Sequence, residues 1–200
     1  MVLAAGRGLR FGGDTPKPQL VFRGKPLVVH AVHAARAGDL SPVVVVASDD
    51  RVIEVLDAEI RAGSVVLVRN DAPERGISSS LQAALRVLMP DDLIDGVVVG
   101  LGDQPLVGAE AYRRVGRALD NGAELAVATY AGVRGNPVLI GRAHWAEALE
   151  LGGDEGARVL VRRYGAVEVP CDGTGRPDDI DTPEDLASLE KEWTSQTTSE

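Results

Sequence analysis

The sequence predicts an α/β protein: one domain with a mostly parallel sheet and helices on both faces. Three observations carry this. Apolar runs such as Val2 to Ala5, Pro42 to Ala47 and Ile94 to Leu101 lack polar alternation, as strands buried on both faces require. Segments that read as helices separate these runs, and such alternation marks parallel βαβ units. The 200 residues, 44% hydrophobic and aliphatic rather than aromatic, suit a single core.

In order, the first strand, Val2 to Ala5, stops at Gly6; it opens at Met1 and is short, which leaves room for a start further upstream. Pro26 to Ala37 reads as a helix with Pro26 in its first turn. After the valine run ending at Ala47, Asp49 and Asp50 supply N-cap chemistry for a helix to about Arg61, and Ser64 to Val68 forms the next strand. Ser78 to Met89 is a helix ended by Pro90, and Ile94 to Leu101 is a strand running into Gly102-Asp103-Gln104-Pro105. A helix over Ala109 to Leu119 and a strand over Glu124 to Thr129 follow. The alternation then loosens: a short strand at Pro137 to Ile140, helices at Arg142 to Leu149 and Glu155 to Tyr164, a strand at Ala166 to Val169, and a terminal helix from Pro183 to Trp193. Residues 194–200 are polar and patternless, so the expected organisation is one domain over 1–193 and a disordered tail.

Charge and cysteine usage exclude whole classes. A net charge of −9 and a pI near 4.9 argue against nucleic acid or an anionic membrane as partner. The one cysteine, Cys171, excludes an intramolecular disulfide framework and a cysteine-rich metal site. No apolar run reaches the roughly 18 residues of a membrane span and no signal-peptide pattern opens the chain, so the expected location is cytoplasmic. His30, His33 and His144 lack metal-ligand spacing and read as helix residues without chemistry.

Chemistry concentrates after the first strand, where glycines at 6, 8, 12 and 13 accompany Arg7, Arg10 and Lys17. Glycines let backbone N–H groups approach an anion and the cations balance its charge, a pattern that fits a polyphosphate; the alternative is a plain glycine-rich turn. A dinucleotide fingerprint fails because Phe11 stands where G-x-G-x-x-G needs its last glycine, and a P-loop fails because Asp14-Thr15 follow Gly13. Ser78, Ser79 and Ser80 open a helix, where hydroxyls bind anions or cap. Asp103 follows a buried strand with a fixed backbone, or closes an Asx-turn. Near the C-terminus Asp178, Asp179 and Asp181 offer further carboxylates, while Thr182 or Asp181 is placed to cap the last helix. In parallel sheets ligands sit beyond the carboxyl ends of strands, so the glycine loop, Asn70 to Ser80 and Gly102 to Pro105 should converge on one rim.

Leu3-Ala4-Ala5-Gly6-Arg7-Gly8-Leu9-Arg10-Phe11-Gly12, then Pro16-Lys17, then Gly24-Lys25-Pro26-Leu27 resemble the signature of the MobA-like nucleotidyltransferases in order and spacing. Gly76 to Leu81, Gly102 to Pro105, Gly135 to Leu139, Gly153 to Arg158 and Asp178 to Leu186 extend the resemblance to the molybdenum cofactor cytidylyltransferase branch. It implies a Rossmann-like three-layer αβα fold of the nucleotide-diphospho-sugar transferase type, and Mg²⁺-dependent transfer of CMP from CTP to a phosphorylated acceptor, molybdopterin in that branch, with release of pyrophosphate. A molybdoenzyme or its chaperone would then receive the product. Residue by residue, it implies nucleotide binding by Leu3, Ala4, Ala5, Gly6, Gly8, Arg10, Lys17, Ser78, Ser79, Ser80 and Asp103. Arg10, Lys17 and Asp103 would be catalytic, Asp103 and Asp181 would hold Mg²⁺, and Gln104, Asn136, Asp154 and Arg158 would face the acceptor. Leu-Ala-Ala-Gly, rather than Leu-Ala-Gly-Gly, is typical of pyrimidine users. For Arg158 a surface salt bridge is the alternative, and the second metal ligand stays open between Asp179 and Asp181. The rival readings are transfer with another nucleotide or acceptor, an NAD(P)-linked oxidoreductase, and a nucleotide-binding module without catalysis.

Overall fold

The structure, a computed structural model, describes residues 1–6, 15–180 and 182–197. In chain order its elements are β1 (Val2–Leu3), β2 (Val21–Phe22), β3 (Lys25–Pro26), α1 (Leu27–Ala37), β4 (Val44–Ala47), α2 (Asp50–Glu54), α3 (Asp57–Arg61), β5 (Val66–Arg69) and α4 (Ile77–Leu88). Then come β6 (Gly96–Leu101), α5 (Ala109–Asp120), β7 (Leu125–Tyr130), β8 (Val133–Gly141), α6 (Trp145–Ala148), α7 (Ala157–Tyr164), β9 (Val167–Pro170) and α8 (Pro183–Thr197). Seven strands form one sheet, ordered β5-β4-β1-β6-β8-β7-β9; β8 runs antiparallel to both its neighbours, and the other pairings are parallel.

The expected mostly parallel three-layer architecture holds, and the apolar runs explain it. Val45 and Ala47 face the layer of α1, α2 and α5, while Val44 and Val46 face α4, α6 and α7, so the whole run is buried. No helix among the described residues is long and apolar enough to cross a membrane.

Four expectations need correction. The helix after Asp49 divides into α2 and α3, and the break turns Leu56 fully into the core. Arg142 to Leu149 is a 3-10 turn over Arg142–His144 followed by only four α-helical residues. The strand expected at Pro137 to Ile140 runs the full length of β8. Its register against β7 jumps from Val127↔Val138 to Ala128↔Gly135, leaving Asn136 and Pro137 as extra residues. Proline has no N–H for the ladder, so Asn136-Pro137 read as an end of strand when it is a bulge within one. The last helix continues to Thr197, past the expected boundary at residue 193.

The β2–β3 hairpin, absent from the sequence reading, fixes the C-terminus. Phe22, Leu27, Ile180 and Leu189 form a satellite cluster flanked by Leu106 and Leu186. Thr182 and Asp185 exchange N–H bonds, 2.8 Å to Asp185 Oδ2 and 3.1 Å to Thr182 Oγ1, a capping box that starts α8. The capping alternative therefore belongs to Thr182. Hydrophobic packing of α8 on the hairpin thus carries the acidic stretch before it to the rim of the sheet.

Candidate active site

β1, β5 and β6 are parallel, so the segments that follow them emerge on one side. The joining contact is a salt bridge: Lys17, in a 3-10 turn after the glycine loop, places its Nζ 2.7 Å from Asp103 Oδ2 at the end of β6. Lys17 is 8% exposed, and a buried ammonium is tolerated only with a counter-charge. Two residues 86 positions apart, each expected at a nucleotide site, thus form one pair. Arg10 and Gly8, and Arg7 with them, lie outside the described residues, as does Asp181.

Asp103 is also anchored through its backbone. Ile180 N–H donates to Asp103 O at 3.3 Å, tying the acidic C-terminal stretch to this strand end. Gln104, buried at 3% exposure, spends its amide on the same stretch: Nε2 donates to Pro177 O and to Asp179 Oδ1, both at 2.9 Å. Asn136 Nδ2 donates to Gln104 Oε1 at 3.0 Å, and Tyr130 donates its hydroxyl to Asn136 O at 2.9 Å. Burial raises the Tyr130 phenol above its ordinary value, which keeps it a donor. The β8 bulge thus aims Asn136 inward, and Gln104 with Asn136 hold Asp179 and the cleft wall in place.

On the other flank, Leu3 to Gly6 follow β1. Ala4 and Ala5 are buried; Ala4 N–H donates to Val46 O at 2.8 Å and Ser48 Oγ donates to Ala5 O at 3.2 Å. At Gly6 nothing among the described residues lies within 4 Å of where a Cβ would stand. Ser78, Ser79 and Ser80 are all buried and engaged inside the protein. Asn70 Nδ2 donates to both Ser79 Oγ and Ser80 Oγ at 2.9 Å, Ser79 Oγ donates to Gly76 O at 2.7 Å, and Ser78 Oγ to Arg75 O at 3.5 Å. Ser78 N–H, which a helix N-terminus leaves unpaired, is taken by Gly153 O at 3.2 Å. Gly76, at φ +84°, permits this close approach: a Cβ there would overlap the Gly153 carbonyl and lie 2.7 Å from Asp154 Oδ1.

Between the flanks lies a cavity of about 700 Å³, floored by Leu3, Val99, Val127 and Val138, with Asp103, Asn136, Asp154, Arg158 and Asp179 on its walls. Of the sequence reading, Leu3 and Asp103 from the nucleotide side and Asn136, Asp154 and Arg158 from the acceptor side line this one cleft; Lys17, Ser78, Ser79, Ser80 and Gln104 do not line it and act behind its wall. That reading passed over Asn70, the organiser of the serines, and Arg134 and Arg162, which also line the cavity. An asparagine right after a strand was the available signal for the first. The arginines gave none, since exposed arginines on strands and helices are ordinary. Asp103 and Asp179 offer hard oxygen donors on one cavity, which fits a Mg²⁺-like ion that keeps waters and takes one or two carboxylates plus phosphates. Among the described residues there is no group of three acidic, histidine or cysteine side chains that could hold a metal by themselves.

Residues 1–168 match the MobA-like NTP transferase domain. The chain belongs to that family. The domain it carries is accordingly a nucleotidyltransferase domain. A bifunctional protein GlmU from Kineococcus radiotolerans is 39% identical over 120 residues, 59% of this chain and 24% of its own length. A 2-C-methyl-D-erythritol 4-phosphate cytidylyltransferase from Cereibacter sphaeroides is 34% identical over 122 residues, 60% of this chain and 52% of its own length. The chain spans only about a quarter to a half of the length of the curated relatives it matches. Among solved structures, Rv0371c from Mycobacterium tuberculosis H37Rv aligns at TM-score 0.75 with 30% identity over 95% of each chain. Rv0371c from the same organism in complex with manganese aligns at TM-score 0.71 with 28% identity, covering 95% of this chain and 96% of that one.

Proposed function

We propose that the protein transfers CMP from CTP to a phosphorylated small-molecule acceptor of the molybdopterin class, with Mg²⁺, and releases pyrophosphate. The observation that carries the reading is the Lys17–Asp103 pair, a buried cation from the turn after the glycine loop held against a carboxylate that follows β6 and lines the cleft. An acceptor phosphate oxygen attacks the α-phosphorus in line; the bond to the bridging oxygen breaks, and pyrophosphate carries away the negative charge. Position and charge suffice for this, and no side-chain nucleophile is needed.

Lys17, with Arg10 and the backbone of the glycine loop, holds the triphosphate and stabilises charge building on the leaving group. Asp103 and either Asp179 or Asp181 hold the ion. When bound, Mg²⁺ supplies neutralisation of the phosphate charges. In the free protein Lys17 and Asp103 neutralise each other, so neither is a bare charge before the nucleotide arrives. Asn70 and the three serines fix the shape of the nucleotide flank, whereas Gln104 and Asn136 set Asp179, and Asp154 and Arg158 flank the acceptor. The similarity to a cytidylyltransferase and the Leu3-Ala4-Ala5-Gly6 stretch support CTP, and the manganese complex of the Mycobacterium relative supports a divalent ion. The net negative charge supports small-molecule rather than nucleic-acid or anionic-membrane partners, and no helix among the described residues is long and apolar enough to cross a membrane; a cytoplasmic setting is part of the proposal. A molybdoenzyme or its chaperone is the proposed downstream recipient.

The test is pyrophosphate release from each nucleoside triphosphate with Mg²⁺ and candidate pterin phosphates. Acceptor-dependent release with CTP is expected. Equal or better turnover with GTP would overturn the cytidylyl assignment alone, and no release with any nucleotide and acceptor would overturn transfer itself.

A further inference from the structure

We propose that Arg158 and Arg162 form a second anion-binding subsite, which takes an acidic group of the acceptor other than the phosphate under attack; the identity of that ligand as an acceptor rests on the nucleotidyl-transfer reading. The two arginines stand four residues apart on α7, hence on one face of the helix, and both line the cavity. Of the three arginines on its walls, Arg134 is tied to Glu168 at 2.8 Å, whereas Arg158 and Arg162 have no ion pair or hydrogen bond among the described residues. Their neighbour Arg163, on another face of α7, pairs with Glu147. The helix therefore pairs the arginine on its other face and leaves two exposed arginines, both lining the cleft, without a partner among the described residues. Like charges one turn apart repel, and an anion between them removes that cost. Two forked donors suit a phosphate or carboxylate, which each can grip by paired hydrogen bonds.

Place in the fold separates this subsite from the reacting centre. Asp103 ends β6, while α7 packs over β7 and β8, with Val161 against Val127 and Val138. With β8 between β6 and β7, the strands under α7 lie one and two places along the sheet from β6, so the pair is offset laterally from Asp103. The carboxylates of Asp103 and Asp179 make the reacting end unfavourable for an additional bare anion. The floor between the two ends, Val99, Val138 and Val127, is apolar. The ligand class that fits is a phosphomonoester whose body has an apolar face and whose far end carries a second acidic group.

The experiment uses the full chain with saturating Mg²⁺ and CTP, so that the triphosphate site is filled, and titrates inorganic phosphate or acetate while amide resonances of α7 are followed. One saturable site is expected, weakened at least tenfold by Arg158→Gln and by Arg162→Gln and unchanged by Arg163→Gln. Tighter phosphate than acetate would assign the far group as phosphoryl, and the reverse as carboxyl. Absence of saturation, or equal affinity in Arg158→Gln, Arg162→Gln and the unaltered protein, overturns the subsite. Failure of CTP to bind counts against the nucleotidyl-transfer reading instead, because the same titration without nucleotide still reads the arginines.

Discussion

The two flanks of the cleft differ in the charged groups they leave open to it. On the flank of β5, β4 and β1, Asn70 is bonded to both Ser79 and Ser80, all three are buried, and the Ser78 amide in the first turn of α4 is closed by Gly153. On the flank of β8, β7 and α7, the cavity has an apolar floor, and two of its arginines lack partners among the described residues. Saturated groups fix a backbone shape; unsaturated charges are available to a ligand. The difference teaches that the first flank is built for recognition by pre-set form and that the second offers charge to a ligand under the proposed function. The Lys17–Asp103 pair stands between them and does both, being satisfied now and available once a ligand competes for it.

The largest expected effect comes from breaking that bridge. Asp103→Asn should lower Mg²⁺-dependent turnover by about 10²–10³, as for loss of a group acting on transition-state charge, with unchanged circular dichroism. Full activity would remove Asp103 from the centre. On the pre-set flank, Gly76→Ala should destabilise by about 3 kcal/mol, since a φ of +84° with extended ψ is all but confined to glycine and the added Cβ meets backbone. Urea unfolding measures this, and Gly6→Ala, where no described residue stands in the way of a Cβ, should stay within about 0.5 kcal/mol of the original protein. If both glycines behave alike, the close Gly76–Gly153 packing is not what sets that flank.

Lys17→Ala tests the other half of the bridge. Triphosphate binding should weaken by roughly 1.5–3 kcal/mol, the range for a charged hydrogen bond, read by calorimetry on the folded variant. Unchanged affinity would take the lysine out of the nucleotide site. The smallest effect is expected at Asn70→Ala. It deprives two serine hydroxyls of their donor and Ala72 N–H of its acceptor, and should cost about 1–2 kcal/mol of stability. Its loss of nucleotide affinity should follow from altered shape rather than from a lost ligand contact, so turnover at saturating CTP should be nearly preserved. A collapse of turnover with stability intact would place Asn70 among the ligand-contacting groups and erase the contrast between the flanks.

The sequence by itself determined the sheet and the rim. Val43 to Val46, Val97 to Val99 and Val2 to Leu3 are apolar on both faces, which only a covered, mostly parallel sheet accommodates, and chain order then puts the segments after β1, β5 and β6 at one end. Lys17 and Asp103 were legible for the same reason, since each follows a strand end that topology fixes. Tertiary structure alone decided how the side chains meet there. Gln104 reaches Asp179 across 75 residues and Asn136 across 32, the latter through a bulge whose glycine and proline resemble a turn in one dimension. Packing of Leu186 and Leu189 on the hairpin at Phe22 brings the acidic stretch to Asp103, and the orientation of α7 separates Arg158 and Arg162 from Arg163. Periodicity records which face of an element is buried. Which side chain finds which partner depends on the packing of elements far apart in the chain, and no local pattern encodes that.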